Sequence, residues 1–262
     1  MHMKQTLSHR IFNQEIKSRP QAVESLINYL RVTEQTDQLF DFLSMTARHE
    51  EAAVVKLKQS LNTRNAESKK KAISNCNMNH FSSSMGPSRD LLNFWSELLT
   101  NEVVLLERQI PLEEQDKRRQ TLPTLEDNAK FIDIPRNSVL NQSVISTLFY
   151  CCLYHYVLPE TSTISPLSLQ KTFELTDKQF TWTALIALCK RKQWNQVDNL
   201  FQGKSWLGTK KIKSDINFDE VCLVLLKHDA PTDYVSKYAM LIDDLETRLD
   251  FAKEHNLPIR LK

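Results

Sequence analysis

Two cysteines and a histidine lie close together in an apolar segment, Cys151-Cys152-Leu153-Tyr154-His155. Residues four apart share one side of an α-helix, so Cys151 and His155 could form a thiol–imidazole pair or supply two metal ligands. A zinc site takes four ligands, and no second cluster supplies the others. Packing in a helical core is therefore favoured, and a cysteine hydrolase remains an alternative that alkylation of Cys151 would test.

A second candidate is the segment 200–218, LFQGKSWLGTKKIKSDINF, which holds two of the three glycines in the chain. Gly203 and Gly208 have the spacing of a phosphate-binding loop, but Thr209 stands where that motif needs lysine, and no strand precedes it. We expect Gly203 to end a helix and Trp206 to cover the gap that follows. A basic rim surrounds this tryptophan, formed by Lys204, Lys210, Lys211 and Lys213. An aromatic anchor with a basic rim indicates a protein-binding edge, and a tryptophan that only fills the core is the alternative.

The composition argues against several classes of protein. Three glycines in 262 residues leave little material for the phosphate loops and tight turns of α/β enzymes. The net charge of +2 is not the basic excess of a nucleic-acid-binding domain. An RNA-binding helical repeat that uses Lys69–Lys71 and the rim at 204–213 remains the alternative function, which a gel shift would test. No run of eighteen apolar residues occurs, so no membrane-spanning helix is predicted.

Helical periodicity extends over most of the chain, and strand-like alternation is scarce. Pro20 is expected to begin one helix, and Thr176 with Gln179 forms the capping box of another. Asn217 with Glu220 offers a further cap pair. Short amphipathic helices joined by short turns must cover one another, which predicts an all-α fold, an irregular α-solenoid of stacked antiparallel helices. The five cysteines are expected to be reduced and buried, as in a cytosolic protein.

Two polar segments interrupt this periodicity. Residues 62–88 are rich in Asn, Ser and Lys and are expected to be a linker or a polar loop. Residues 111–140 contain three prolines and dense charge, and we place the main boundary there. The predicted organisation is a helical block at 1–110, an irregular linker at 111–140 and a helical domain at 141–262 that is truncated at its end.

The segment 182–231 resembles the C-terminal domain of the Vps-sixteen family of vacuolar sorting proteins. It is most similar to the second branch of that family, called VIPAR, Full-of-bacteria or spermatogenesis-defective protein. Three further segments resemble this branch: TLSHRIFNQEIKSRPQAVESLINYLR near the start, LLERQI at 105–110 and STLFYCCLYHY at 146–156. The matching positions of segment 182–231 are Thr183, Ala184, Leu185, Trp194, Leu200, Lys204, Trp206, Gly208, Lys211, Phe218, Val221 and Leu225.

The resemblance implies a helical scaffold that is not an enzyme and has no cofactor, metal site or catalytic residue. It implies a partner, the Sec/Munc-type Vps-thirty-three protein of the B form, which controls SNARE-driven membrane fusion. It also implies contact with Rab GTPases and other tethering subunits, no nucleic acid, and a cytoplasmic location at the periphery of endosomes and lysosomes. One departure is Asp215-Ile216-Asn217, where relatives often have Pro-Ile-Gly.

The resemblance assigns the partner-binding surface to helices from about Thr176 to Tyr238. Aromatic anchors and flanking cations are the expected contacts, since aromatic side chains dominate binding energy and rim charges mainly steer association. The predicted set is Leu188, Lys190, Arg191, Trp194, Phe201, Trp206, Lys211, Phe218, Lys237 and Tyr238.

Overall fold

The structure is a computed structural model that describes residues 15–82, 89–121, 130–202 and 214–258. The chain divides into two compact units, Met1–Ile110 and Pro111–Lys262. The described residues form helices that are joined by turns and irregular segments. They contain no β-strand, and Gln202 is the single residue among them in an isolated β-bridge. This confirms the predicted all-α class.

Unit 1 is a series of helices that pack against their neighbours in the chain. Helices α1 to α4 are Pro20–Val32, Thr36–Met45, His49–Leu61 and Ala66–Cys76. Pro20 occupies the first turn of α1, as predicted, where its missing N–H leaves no intrahelical bond unmade. Ile27, Leu30, Phe42 and Leu43 are buried between the first helices, where they form the core of this part of the unit.

Residues 62–81 correct the prediction of a linker or polar loop. Helix α4 begins behind Asn65, whose side chain accepts a hydrogen bond from the amide of Ser68, and a π-helical turn follows at Asn77–Phe81. The helix buries Ile73 completely and leaves Lys69 only 9% exposed. Because Nζ of Lys69 lies 3.5 Å from Glu102, this lysine is not part of a free basic patch for RNA.

Helix α5, Arg89–Thr121, contains Pro111 and also contains the division between the two units. The prediction that 111–140 is an irregular linker is therefore wrong for residues 111–121, and residues 130–133 are helical too. A proline inside a helix removes one N–H donor. Helix α5 continues because Leu112 and Asp116, the latter fully buried, pack inside unit 2 beyond it.

Unit 2 continues with further helices in its described part, among them α8 at Asp177–Lys190. Thr176 and Gln179 form the predicted capping box at the start of α8, with both of its hydrogen bonds present. Asn217, by contrast, makes no side-chain cap bond, so that prediction is wrong. Helices α6 to α12 are Val144–His155, Pro166–Thr172, Asp177–Lys190, Trp194–Phe201, Phe218–Lys227, Thr232–Ala239 and Leu245–Glu254.

Helix α8 is the central element of unit 2. It packs against α6, α9 and α10, and it buries Ala184 and Ala187 toward α6 and Leu185 and Leu188 toward the later helices. Packing of each helix on others that are one or two helices away in the chain is consistent with an α-solenoid. The exposed positions that α8 retains are Asp177, Lys178, Gln179, Trp182 and Lys190.

Several helices in this glycine-poor chain end at a residue other than glycine that adopts the left-handed conformation. Examples are Glu34, Ala47 and Lys192, with φ of 54°, 60° and 55°. Each of these ends is closed by a backbone bond of the Schellman type, for example from the amide of Gln193 to the carbonyl of Leu188 at 3.0 Å. The bond turns the chain sharply into the next helix.

Candidate protein-binding surface

Cys151 and Cys152 are completely buried in the core of unit 2. His155 is also buried, and its Nε2 lies 2.7 Å from Oδ2 of Asp116 on α5. The imidazole thus has a carboxylate partner. It has no accessible thiol beside it that it could activate as a general base, because Cys151 and Cys152 are buried. The described residues contain no group of His, Cys, Asp and Glu side chains that could hold a metal ion.

The carboxylate of Asp116 is the centre of a buried polar network. It accepts a second hydrogen bond from the hydroxyl of Tyr150 at 2.7 Å, and Arg136 donates to that hydroxyl at 2.9 Å. Burial alone would raise the pKa of Asp116, but the bonds from His155 and Tyr150 outweigh it and hold the pKa below its usual value. Burial lowers the pKa of His155, so a neutral ring donates to an ionised carboxylate.

Arg136 extends this network to the segment before α6. Its Nη2 lies 2.5 Å from Glu113, and the same carboxylate accepts the backbone amide of Val139 at 3.0 Å. The network therefore joins α5, α6 and the 130–139 segment. Sequence reasoning missed it, because Glu113 and Asp116 lie in a segment that the prolines marked as irregular.

Lys190 and Arg191, both predicted as partner-binding, lie at the C-terminal end of α8 next to α6. Nζ of Lys190 is 5.8 Å from the ring centre of Phe149, and the guanidinium of Arg191 is 6.0 Å from that of Tyr154. We call these four side chains the aromatic–basic patch. Lys190 is exposed and the other three are partly exposed. Phenylalanine, tyrosine and arginine are residue types that protein interfaces favour, and Lys190 adds a charge of the kind found at an interface rim.

Three other predicted contacts, Leu188, Phe201 and Tyr238, are at most 1% exposed and belong to the core. They cannot reach a partner in this structure, so the prediction is corrected for them. Helical periodicity does not separate a core face from an interface, since both are apolar. Trp194 and Phe218 are half-buried against the same core. The predicted loop residues Gly203, Lys204, Trp206, Gly208, Lys210, Lys211 and Lys213 lie outside the described residues.

Lys237 has a partner within its own unit. Its Nζ lies 2.6 Å from Oδ1 of Asp198, which also accepts the hydroxyl of Tyr238 at 2.7 Å, while Oδ2 accepts that of Tyr234 at 2.9 Å. Burial would raise the pKa of Asp198, but the bonds from Lys237 and the two tyrosines hold it below its usual value. Lys237 therefore ties α11 to α9, and its charge is largely compensated.

Unit 1 also presents apolar surface. A groove of about 580 Å³ lies between α1, α3 and α5. Leu91 and Trp95 line it and are 57% and 40% exposed. Sequence patterns predict no contact there, because helical periodicity indicates only that α5 has an apolar face.

Comparison with curated proteins finds relatives over nearly the whole chain. "Spermatogenesis-defective protein 39 homolog" of Rattus norvegicus is 35% identical over 251 residues, which are 95% of this chain and 52% of that protein. The protein of the same name from Danio rerio is 34% identical over 256 residues, 97% of this chain and 50% of that protein. The chain is a homologue of the spermatogenesis-defective proteins.

These names confirm the predicted resemblance to the spermatogenesis-defective branch. "Spermatogenesis-defective protein 39" of Caenorhabditis elegans is a more distant relative, 22% identical over 273 residues. The chain spans about half the length of the curated relatives it matches.

No family model matches the chain. None of the helices in the described ranges combines the length and hydropathy needed to cross a bilayer.

Proposed function

We propose that this chain is the helical part of a non-enzymatic scaffold that binds a Sec/Munc-type protein of the Vps-thirty-three B kind. The scaffold would position that protein for SNARE-mediated fusion in endosomal and lysosomal traffic, at the cytoplasmic periphery of these membranes. Rab GTPases and other tethering subunits are its further proposed partners. Homology to the spermatogenesis-defective proteins over 95% of the chain supports the family on which this proposal rests.

The aromatic–basic patch is the observation that carries the proposal. Lys190 and Arg191 lie at the open end of α8, within the segment that carries the family resemblance, and they have no ion pair with a carboxylate among the described residues. Surface cations that form no ion pair within the described part of their own chain steer the approach of an acidic protein surface. Trp194 and Phe218, being half-buried, are proposed to widen the contact, and Lys237 to border it.

A non-enzymatic role is supported by the environment of the candidate nucleophiles. Burial raises the pKa of Cys152 well above its usual value, and Cys151 beside it is completely buried. A catalytic cysteine needs a thiolate that substrate can reach. A folded protein in which iodoacetamide modifies Cys151 rapidly would contradict this part of the proposal.

Co-purification of the whole chain with the partner tests the proposal. The purified chain and the purified B-form Vps-thirty-three protein are mixed at micromolar concentrations and separated by size-exclusion chromatography. We expect a shared peak, and no shared peak with an unrelated Sec/Munc-type protein. Separate elution of the chain and the B-form protein would overturn the proposed function.

A further inference from the structure

A small hollow lies beside the aromatic–basic patch in unit 2. Its volume is about 200 Å³, and it lies between α6, the segment 134–142 and the end of α8. Val139 and Leu153 are buried in its floor, and Phe149 forms one wall. The side chains at its rim are Asn137, Ser138, Ser146 and Lys190. An apolar floor with a few polar rim groups is typical of a pocket that takes a single side chain of a partner.

The charge at the rim is positive, and no ion pair compensates it within the described residues of this unit. Arg136, next to the hollow, has its own carboxylate in Glu113. Lys190 has no such carboxylate in the described part of the chain, and it rests over the ring of Phe149. Arg191 donates at 3.0 Å to the backbone carbonyl of Lys130, which does not neutralise its charge.

Lys190 and Lys227 both act electrostatically on His228. The pKa of His228, at the end of α10, is lowered mainly by burial and further by the positive charges of Lys227 and Lys190. The ends of α8 and α10 thus bring lysines from two helices together, where each also faces the partly negative end of its helix. The negative charge of Asp229 acts against this shift, because it raises the pKa of His228.

We propose that the hollow receives an aspartate or glutamate side chain of the protein partner, with an apolar neighbour packed against Phe149. This deepens the proposed function and rests on it, because it assigns the chemistry of the partner's contact. Lys190 supplies the counter-charge, and the amide of Asn137 and the hydroxyl of Ser138 can donate hydrogen bonds to a carboxylate. Lys190 is the cationic side chain among those that line the hollow itself. One lysine with neutral donors matches a single negative charge, and the hollow lacks an arginine lining it that could make the bidentate contacts favourable to phosphate.

The test uses a short acetylated and amidated peptide of repeating Ser-Leu-Glu-Ala units, labelled for fluorescence polarisation, and its counterpart with Gln in place of Glu. Binding to the whole chain is measured in low-salt buffer. We expect the Glu peptide to bind about tenfold more tightly than the Gln peptide, because a charge pair beside an apolar wall steers and strengthens the contact. Equal binding of both peptides, or none by either, overturns the inference.

Two charge reversals on the same helix make the test specific. Lys190→Glu should weaken binding of the Glu peptide about tenfold, while Lys178→Glu, at the exposed start of α8, should leave it within about twofold. Circular dichroism confirms that both variants are folded. An equal loss of Glu-peptide binding in both variants would mean that net charge alone attracts the peptide. Displacement of the peptide by inorganic phosphate or by phosphatidylserine vesicles would mean that the hollow binds a different ligand. Either result overturns the inference.

The same variants separate this inference from the proposed function. If the B-form partner binds the Lys190→Glu chain as well as it binds the parent chain, the acidic contact is wrong and the scaffold function stands. If the Glu peptide behaves as expected but the B-form partner never binds, the hollow stands as a site for acidic segments and the proposed function fails.

Discussion

Nε2 of His155 on α6 lies 2.7 Å from Oδ2 of Asp116 on α5, and both side chains are buried. A neutral histidine that donates to an aspartate carboxylate satisfies a charge that would otherwise be costly inside the protein. The two residues are separated by 39 positions in the chain. The contact therefore contributes to holding α5 and α6 together within unit 2.

The first prediction concerns the pH dependence of stability. The folded pKa of His155 is lowered, so from about pH 6.5 downward the unfolded chain takes up a proton at this residue and the folded chain does not. The free energy of unfolding should therefore fall as the pH decreases from about 6.5. His155→Gln should flatten this dependence in urea unfolding monitored by circular dichroism.

The control for this pH prediction is His49→Gln, because His49 is exposed at the start of α3. The control should keep the pH dependence of the parent protein. A His155→Gln protein with an unchanged pH dependence would show that the buried histidine does not couple protonation to folding.

The second prediction compares two adjacent glutamates of α5. Glu113 binds Arg136 and the amide of Val139, whereas Glu114 is exposed. Glu113→Gln leaves a guanidinium whose side chain is 5% exposed without its counter-charge, so we expect a loss of about 3 kcal/mol in the free energy of unfolding. Glu114→Gln should change it by less than about 0.5 kcal/mol. Chemical unfolding of the two variants side by side decides, and equal effects would contradict the pairing.

The third prediction tests the tie between α9 and α11. Asp198 accepts hydrogen bonds from Tyr234, Lys237 and Tyr238. Asp198→Asn removes the charge and one acceptor, so thermal unfolding should show a loss of about 2 kcal/mol. Asp233→Asn, at an exposed position in α11, is the control and should be nearly neutral. A neutral Asp198→Asn would show that Lys237 and the tyrosines do not depend on this carboxylate.

The fourth prediction concerns the helix ends without glycine. Ala47 has a φ of 60°, which an alanine adopts at a cost of about 1 kcal/mol, so Ala47→Gly should raise the free energy of unfolding by about 0.5 to 1 kcal/mol. Ala72→Gly, inside α4, should lower it by about 1 kcal/mol. Opposite signs for the same substitution support the left-handed conformation, and a destabilised Ala47→Gly protein would argue against it.

Sequence patterns predicted the regular helices because their signals are local. Leu148 and Cys152 lie one turn apart and are both buried, and Thr176 with Gln179 carries its capping box within four residues. The helix at 66–76 was missed because its apolar face is reduced to a few residues around Ile73. The continuation of α5 was missed because Pro111 signals an end, whereas burial of residues beyond it overrides that local preference.

The candidate site was predicted less well, since it depends on contacts between distant segments. Lys190 and Arg191 were predicted as partner-binding residues; Lys190 is exposed and Arg191 partly exposed, and their binding role stays a prediction. Leu188 and Tyr238 share the apolar character of an interface but fill the core. The partner of Lys237, Asp198, lies 39 residues earlier, and nothing in the spacing of either residue marks the pair.

Hydrogen exchange of the whole chain with and without the B-form Vps-thirty-three protein tests the central claim most directly. The aromatic–basic patch lies on α6 and at the end of α8. We predict slower exchange on complex formation in residues 144–155 and 177–193, and unchanged exchange in residues 20–61. Slowing confined to residues 20–61, or no change anywhere in the chain, would contradict the claim that this surface of unit 2 binds the partner.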